Sequence, residues 1–304
     1  MDGFLRINKP AGMSSSDVVM NVRRLTKEKK AGHTGTLDPN ACGLLVVALG
    51  RASRLIEYMD SAAKVYRCRA VLGLATDTHD VWGTAVRDIR GCFEMPSEDD
   101  VADALTALEG QISQVPSRYS AIRQDGKRLY ELAREGREVR AKERQIGVFM
   151  TSLIDFDPAS GEFFFDVRCS SGTYVRTLCD MAGEILGCGA SMSALLRLET
   201  CGFALEDSVT LEELAEMSPE DVRSVLAPCE AAVSELPRCE LADDERASRF
   251  LTGLGFNEDQ CIFPGEGAIP GLAVSVWKDG RFLGTAMPLM ESGRLYFSPG
   301  KVFS

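Results

Sequence analysis

Residues 31–42 read AGHTGTLDPNAC and run directly into the apolar stretch GLLVVALG at 43–50. One acid, Asp38, stands in the middle, followed by Pro39 and preceded by Gly32 and Gly35. An aspartate before a proline is ordinarily a turn former, because its carboxylate caps nearby backbone amides. The glycines add what a simple turn does not need, room for another chain to come close to the backbone. The run LLVVAL predicts a buried strand, and a loop anchored on such a strand is a good place to hold a reactive group. A carboxylate nucleophile must be ionised and held in place, and a neighbouring arginine does both. Arg176, in SSGTYVRTL, is the best candidate partner. It lies at the start of an apolar helical pattern, far from the helix C-terminus where its charge would be favoured. The plainer alternative is that Arg176 pairs with Asp180, one helical turn on.

On either side of this loop, FLRINKP predicts a short strand closed by proline, and SSSDVVMNVRRLTKE predicts a helix. Ser14 and Asp17 fit a capping box, with Val18, Val22 and Leu25 at helical spacing. VYRCRAVLG alternates as a strand, with Tyr66, Cys68, Ala70 and Leu72 on one side. TDTHDVWG is a polar turn and TAVRDI a strand beyond it. SEDDVADALTALEGQI predicts a helix capped by Ser97 and Asp100, with Val101, Ala104, Leu105, Leu108 and Ile112 as one stripe. YSAIRQ, Asp125-Gly126 and KRLYELAREG suggest strand, tight turn and helix. GEFFFDVRCSSG is a strand, TYVRTLCDMAGEILG a helix ended by Gly187, and ASMSALLRLETCGF a further strand region. LEDSVTLEELAEMSPEDVRSVLAP is acidic and helical. From about residue 235 the pattern turns to short strands, with a hairpin expected at Asp279-Gly280. Strands and helices mix without a regular βαβ period, so the fold class is α+β rather than a doubly wound sheet.

A chain of 304 residues accommodates two domains. Its 45% hydrophobic and 26% charged residues are ordinary for a globular protein. No apolar run approaches the roughly 18–20 residues of a membrane span. The first residues lack a basic segment followed by an apolar one, so no secretory signal and a cytoplasmic location are expected. None of the ten cysteines forms a C-x-x-C pair, and the two histidines, His33 and His79, are not spaced as metal ligands. The cysteines therefore read as small core residues. The net charge of −11 is unevenly spread, net +3 over residues 1–150 and net −14 over 151–304. Two basic tracts, 23–30 and 118–144, fall in the first half, the second carrying Tyr119 and Tyr130. A single tract is ordinarily a solvated face; two on one half point to a nucleic-acid backbone track.

The chain lacks the phosphate-binding G-x-x-x-x-G-K-[ST] loop, the dinucleotide G-x-G-x-x-G turn and the G-x-S-x-G elbow. Asp77 and Asp80, in one polar turn, leave a paired-carboxylate glycosidase open.

GHTGTLDPNACGLL resembles the catalytic signature G-H-T-G-x-L-D-P-x-A-x-G-L-L of the TruB family of pseudouridine synthases. NKPAGMSS, YRCRAVLGLATDTHDVWG, QVPSRYSAIRQDGKRLYELAREG and CSSGTYVRTLCDMAGEILGCGA resemble four further motifs of that family, in the family's order, spanning residues 3–202. The resemblance implies roles. Asp38 matches the catalytic aspartate, Tyr66 the tyrosine that packs on the target base, and Arg176 the arginine paired with the aspartate. His33 matches a histidine that meets the RNA as the base leaves its loop. Tyr174 and Leu195 match residues lining the uridine pocket, Asp80 a polar residue of that pocket, and Lys9 and Pro10 a supporting motif. Where the family tends to read L-R-R, this chain has Leu195-Leu196-Arg197.

The resemblance further implies isomerisation of one uridine in the T-loop of tRNA, uridine-55, to pseudouridine. It implies no cofactor and no metal, tRNA as the partner through T-loop and T-stem, no obligatory protein partner, and a monomer. The expected architecture is a largely antiparallel, mixed-sheet catalytic domain over 1–234, including an acidic helical connector at 203–234. A small β-rich domain of PUA type is expected over 235–304. Residues 203–304 carry net −10, so the first domain is expected to supply most of the RNA contact. The alternative is a non-catalytic tRNA-binding or tRNA-folding protein on the same scaffold.

Overall fold

The computed structural model describes residues 1–59, 63–116, 142–263 and 267–303, with backbone alone at 123–124 and 127–128. Its first sheet is built from β1 (Gly3–Lys9), β2 (Ala31–His33), β3 (Cys42–Leu49) and β4 (Lys64–Leu72), then β7 (Gly110–Gln114), β10 (Arg144–Asp157), β11 (Glu162–Cys169), β12 (Ala190–Thr200) and β13 (Phe203–Ala204). Two small hairpins, β5 (Leu74–Thr76) with β6 (Ala85–Asp88) and β8 (Arg123–Gln124) with β9 (Lys127–Arg128), stand apart. Across the main sheet the order is β1-β3-β12-β4-β11-β10-β7, with β2 on β3 and β13 on β12. Every pairing is antiparallel except a two-residue parallel contact of β12 with β3, Leu196 opposite Cys42 and Arg197 opposite Gly43. The α+β expectation, with a mixed and largely antiparallel sheet, holds.

Helix α1 (Ser15–Thr26) begins at Ser14, whose hydroxyl accepts from the Asp17 amide while the Asp17 carboxylate accepts from the Ser14 amide. Such reciprocal caps satisfy amides that have no partner inside the helix. Val18, Val19 and Val22 bury against β1 and β3. Helices α2 (Glu98–Thr106) and α3 (Val175–Ile185) cover one face of β4, β11 and β10, through Leu105, Cys179 and Leu178 against Cys68, Phe163, Phe165 and Val148. α2 is shorter than its stripe suggests. The helix ends at Thr106, and Gly110, at φ +105, opens β7, from which Ile112 reaches the same core.

Other elements have no counterpart in the sequence pattern. β2 lies inside the stretch that reads as loop. β10, 14 residues long, has register shifts that break its alternation and leave Phe149 and Met150 exposed. A 3₁₀ helix fills Gly50–Tyr58. The helix expected from Lys127 falls on β9 at its first two residues and otherwise outside the described residues, as do Tyr119 and Tyr130.

The acidic connector forms α4 (Leu211–Glu216) and α5 (Pro219–Ser224), each with a capping box. A second sheet, in the order β15-β19-β18-β17-β14-β16, follows. Its strands are β14 (Arg238–Leu241), β15 (Phe256–Asn257), β16 (Cys261–Ile262), β17 (Val274–Lys278), β18 (Arg281–Glu291) and β19 (Arg294–Val302). The expected hairpin sits between β17 and β18, where Asp279 and Gly280 both have positive φ, as a tight turn matching strand twist requires. One helix, α6 (Asp244–Leu251), interrupts the expected run of strands, capped by the Asp243 carboxylate. No helix among the described residues is long and apolar enough to cross a membrane.

Candidate active site

The loop between β2 and β3 carries Asp38, and buried groups tie it down from below. Lys9, fully buried at the end of β1, donates from Nζ to the carbonyls of Pro10, Pro39 and Ala41 at 2.8, 3.0 and 2.6 Å. Burial holds the Lys9 ammonium below its ordinary pKa, against the opposing pull of Cys42 and Asp38. Ser15, in the first turn of α1, accepts from the Leu37 amide at 2.9 Å and donates to the Leu37 carbonyl at 3.1 Å. Arg197 of β12 donates to the carbonyls of Gly35, Thr36 and Leu44. The Gly12 amide donates to the Pro39 carbonyl and the Ala41 amide to the Asp38 carbonyl, at 2.8 and 3.0 Å.

Above this frame the Asp38 carboxylate is open to solvent, its side chain 38% exposed. Arg176 approaches it from the first turn of α3, Nη1 3.2 Å from Oδ2. The same nitrogen lies 3.6 Å from Oδ2 of Asp80, and the arginine side chain is only 6% exposed. The plainer pairing with Asp180 is not what forms: Asp180 faces His79, 3.7 Å from its Nε2. Tyr174 caps α3. Its amide donates to Gln114 Oε1 at 2.8 Å, its carbonyl accepts from Gln114 Nε2 at 3.0 Å, and its ring lies under the Arg176 guanidinium at 5.4 Å. Tyr66 is buried on β4, opposite Arg197 of β12. Burial pushes its phenol above the ordinary range, with the Arg197 charge opposing.

These elements enclose a cleft of about 420 Å³, within the range of small-ligand sites. His33, Asp38, Tyr66, Tyr174, Arg176 and Leu195 all line it, together with Lys64 and residues 171–173. Six of the seven residues that the resemblance matches to the reaction or the uridine pocket therefore meet in one cleft. The seventh, Asp80, stands behind it. Its Oδ1 accepts from the Thr78 hydroxyl at 2.7 Å and the Trp82 amide at 3.2 Å, leaving Oδ2 toward Arg176. Asp77 instead accepts from the Thr84 amide at 2.8 Å and serves the turn, and neither Asp77 nor Asp80 lines the cleft.

Sequence reasoning does not find Ser15, Arg197 or Lys64. Ser15 and Arg197 act on backbone carbonyls or amides, which leave no residue pattern to read. Lys64 is buried at the start of β4 and donates to Ser171 Oγ at 3.1 Å.

The fold is that of the pseudouridine synthases. The chain superposes on a chain of the "Crystal Structure of a Cbf5-Nop10-Gar1 Complex" with a TM-score of 0.78 at 24% identity, covering 99% of this chain and 85% of that one. Residues 23–175 match the model described as TruB family pseudouridylate synthase, N terminal domain, and residues 176–234 that of the tRNA pseudouridylate synthase B C-terminal domain. The chain belongs to the TruB family of pseudouridine synthases, as its motifs suggested. It is similar to the tRNA pseudouridine synthase B of Heliobacterium modesticaldum, 43% identical over 269 residues and 86% of each chain. It also matches that of Streptococcus pneumoniae serotype 4, 37% identical over the full length of both chains.

Proposed function

We propose that this enzyme converts uridine-55, in the T-loop of tRNA, to pseudouridine, acting in the cytoplasm as a monomer. The observation that carries the reading is the pair of Asp38 and Arg176 at the mouth of a cleft floored by Tyr66. Its relatives are named tRNA pseudouridine synthase B. The target base lies within a folded RNA loop and is flipped out before it reacts. His33, at the end of β2 on the cleft wall, meets the RNA as the base leaves. Tyr66 offers its flat face to the uracil, a contact that unstacked bases accept. Tyr174 and Leu195 close the pocket around it.

The isomerisation breaks N1–C1′, turns the base and forms C5–C1′. C5 loses a proton and N1 gains one, so no electrons or groups are exchanged with a cofactor. Asp38 either attacks C1′ or removes the C2′ proton, and both routes use an ionised carboxylate beside the ribose. The Arg176 guanidinium, 3.2 Å from Oδ2, fixes the direction of that carboxylate. Asp80 holds Arg176 from the other side. Asp38→Ala is expected to abolish pseudouridine formation on a T-loop transcript while tRNA binding stays within about threefold, since only one exposed side chain is lost. Normal turnover in that variant would sink the assignment.

We take residues 1–234 as the catalytic domain and 235–304 as a PUA-like domain. The support is the separate core of the second sheet, built on Cys239, Phe250, Phe256 and Phe297.

A further inference from the structure

We propose that Arg197 is a positioning residue for this reaction, locking the loop that carries Asp38 to the strand that carries Tyr66. The inference rests on reading Asp38 and Tyr66 as the reactive pair. Arg197 is among the largest fully buried side chains of the protein, 1% exposed. Three carbonyls accept from it: Leu44 from Nε at 2.7 Å, Gly35 from Nη2 at 3.2 Å and Thr36 from Nη1 at 3.5 Å. Gly35 and Thr36 precede Asp38 in the loop and Leu44 follows in β3, so one planar group ties the loop to the strand that ends it.

A buried cation set among carbonyl dipoles is a poor way to gain stability, because desolvation is costly and an apolar residue of similar size packs as well. What the guanidinium adds is geometry. Its five donors sit in a rigid fork that a lysine or an apolar side chain cannot reproduce. Its location matches that use. Arg197 pairs directly across the strands with Tyr66 and, on its other side, with Gly43 at the foot of the loop. The approach there is so close that a Cβ on Gly43 would lie 2.7 Å from the Arg197 amide nitrogen. The Arg197 charge also acts on the Tyr66 phenol itself. Lys9 and Ser15 hold the loop from β1 and α1, and their hydrogen bonds go to Pro10, Leu37, Pro39 and Ala41 rather than to the strand bearing Tyr66. Arg197 alone among these three joins the acid and the aromatic face.

The test uses the full chain with Arg197→Lys and Arg197→Gln, beside Val276→Ala, a core change in the second sheet where Val276 is fully buried. Three quantities are measured: the single-turnover rate on saturating T-stem-loop RNA, the Kd for that RNA, and amide exchange at Leu37 and Ala41. Positioning predicts a rate about 100-fold lower, since a displacement of about 1 Å costs that much, with Kd unchanged and exchange accelerated. Arg197→Lys, which keeps charge and bulk, guards against loss of fold in the glutamine variant. Val276→Ala is expected to lower Tm and leave rate and loop exchange as in the parent. Rates within about threefold of the parent in both Arg197 variants, or loop exchange no faster than in Val276→Ala, would overturn the proposal. If the parent itself makes no pseudouridine, the functional reading fails, while loop exchange still decides whether Arg197 holds the loop.

Discussion

Arg176 is shared by two carboxylates of unequal freedom. Asp80 has a side chain only 12% exposed and already accepts from Thr78 and Trp82, whereas Asp38 faces the cleft. Asp80 is therefore the fixed anchor of the guanidinium and Asp38 the reachable end. His79, in the same turn as Asp80, sits in left-handed backbone at φ +64, with Nδ1 3.2 Å from the Thr177 hydroxyl. Burial lowers the His79 pKa, with Asp180 opposing it. Folded His79 thus binds fewer protons than the unfolded chain below about pH 6.5, the ordinary histidine value. Its contribution to stability is present above that pH and is lost as pH falls. Burial raises the pKa of Asp180, and a raised carboxylate contributes in the opposite sense, at lower pH. Urea midpoints are expected to fall from about pH 7 to 5.5 in the parent and to fall less in His79→Gln. Identical pH dependence in the two proteins would remove His79 as the cause.

Among the elements, the loop is shaped by where β3 and β12 touch. Gly43 sits there at φ +99 with no space for a side chain, while Gly91, at φ +73, has nothing within 4 Å of where a Cβ would stand. Both positions carry the left-handed penalty of about 1–2 kcal/mol for other residues, but only Gly43 adds a clash with neighbouring backbone. Gly43→Ala is expected to cost at least about 2 kcal/mol more than Gly91→Ala by chemical denaturation; equal costs would mean that the strands are free to part. The elements legible in the sequence are those with strong local signals. α1 and α2 have complete capping boxes, and β4 alternates over Tyr66, Cys68, Ala70 and Leu72. β10 escapes because its shifts of register put consecutive apolar residues in solvent. β2 escapes because three residues carry no period and pair only once β3 is in place.

Across the whole molecule, the second sheet braces the first through the 3₁₀ helix at Gly50–Tyr58. Phe282 and Phe303 share a core with Phe4, Leu44 and Val46. Arg54 donates to the Val302 carbonyl at 3.0 Å, and Tyr58 meets Thr285 at 3.1 Å. The second half thus supports β3, the strand that follows the loop carrying Asp38. Lys27, Lys29 and Lys30, beyond α1, are exposed. Replacing Lys29 and Lys30 by alanine is expected to weaken tRNA binding and to reduce the slope of log K against log salt by about 1.4–1.8, for two lost phosphate contacts. An unchanged slope would take this tract out of the interface. The family, the fold class and the identities of Asp38, Tyr66 and Arg176 are all legible in the order of residues, because those side chains are written in motifs and in strand or helix periods. Lys9 also stands in a motif with a supporting role, but what holds the loop, and through which atoms, was settled by folding alone. Asp38 depends on Lys9, Ser15 and Arg197, which come from three separate elements and bind backbone atoms, and a carbonyl looks the same in every sequence until the chain has folded around it.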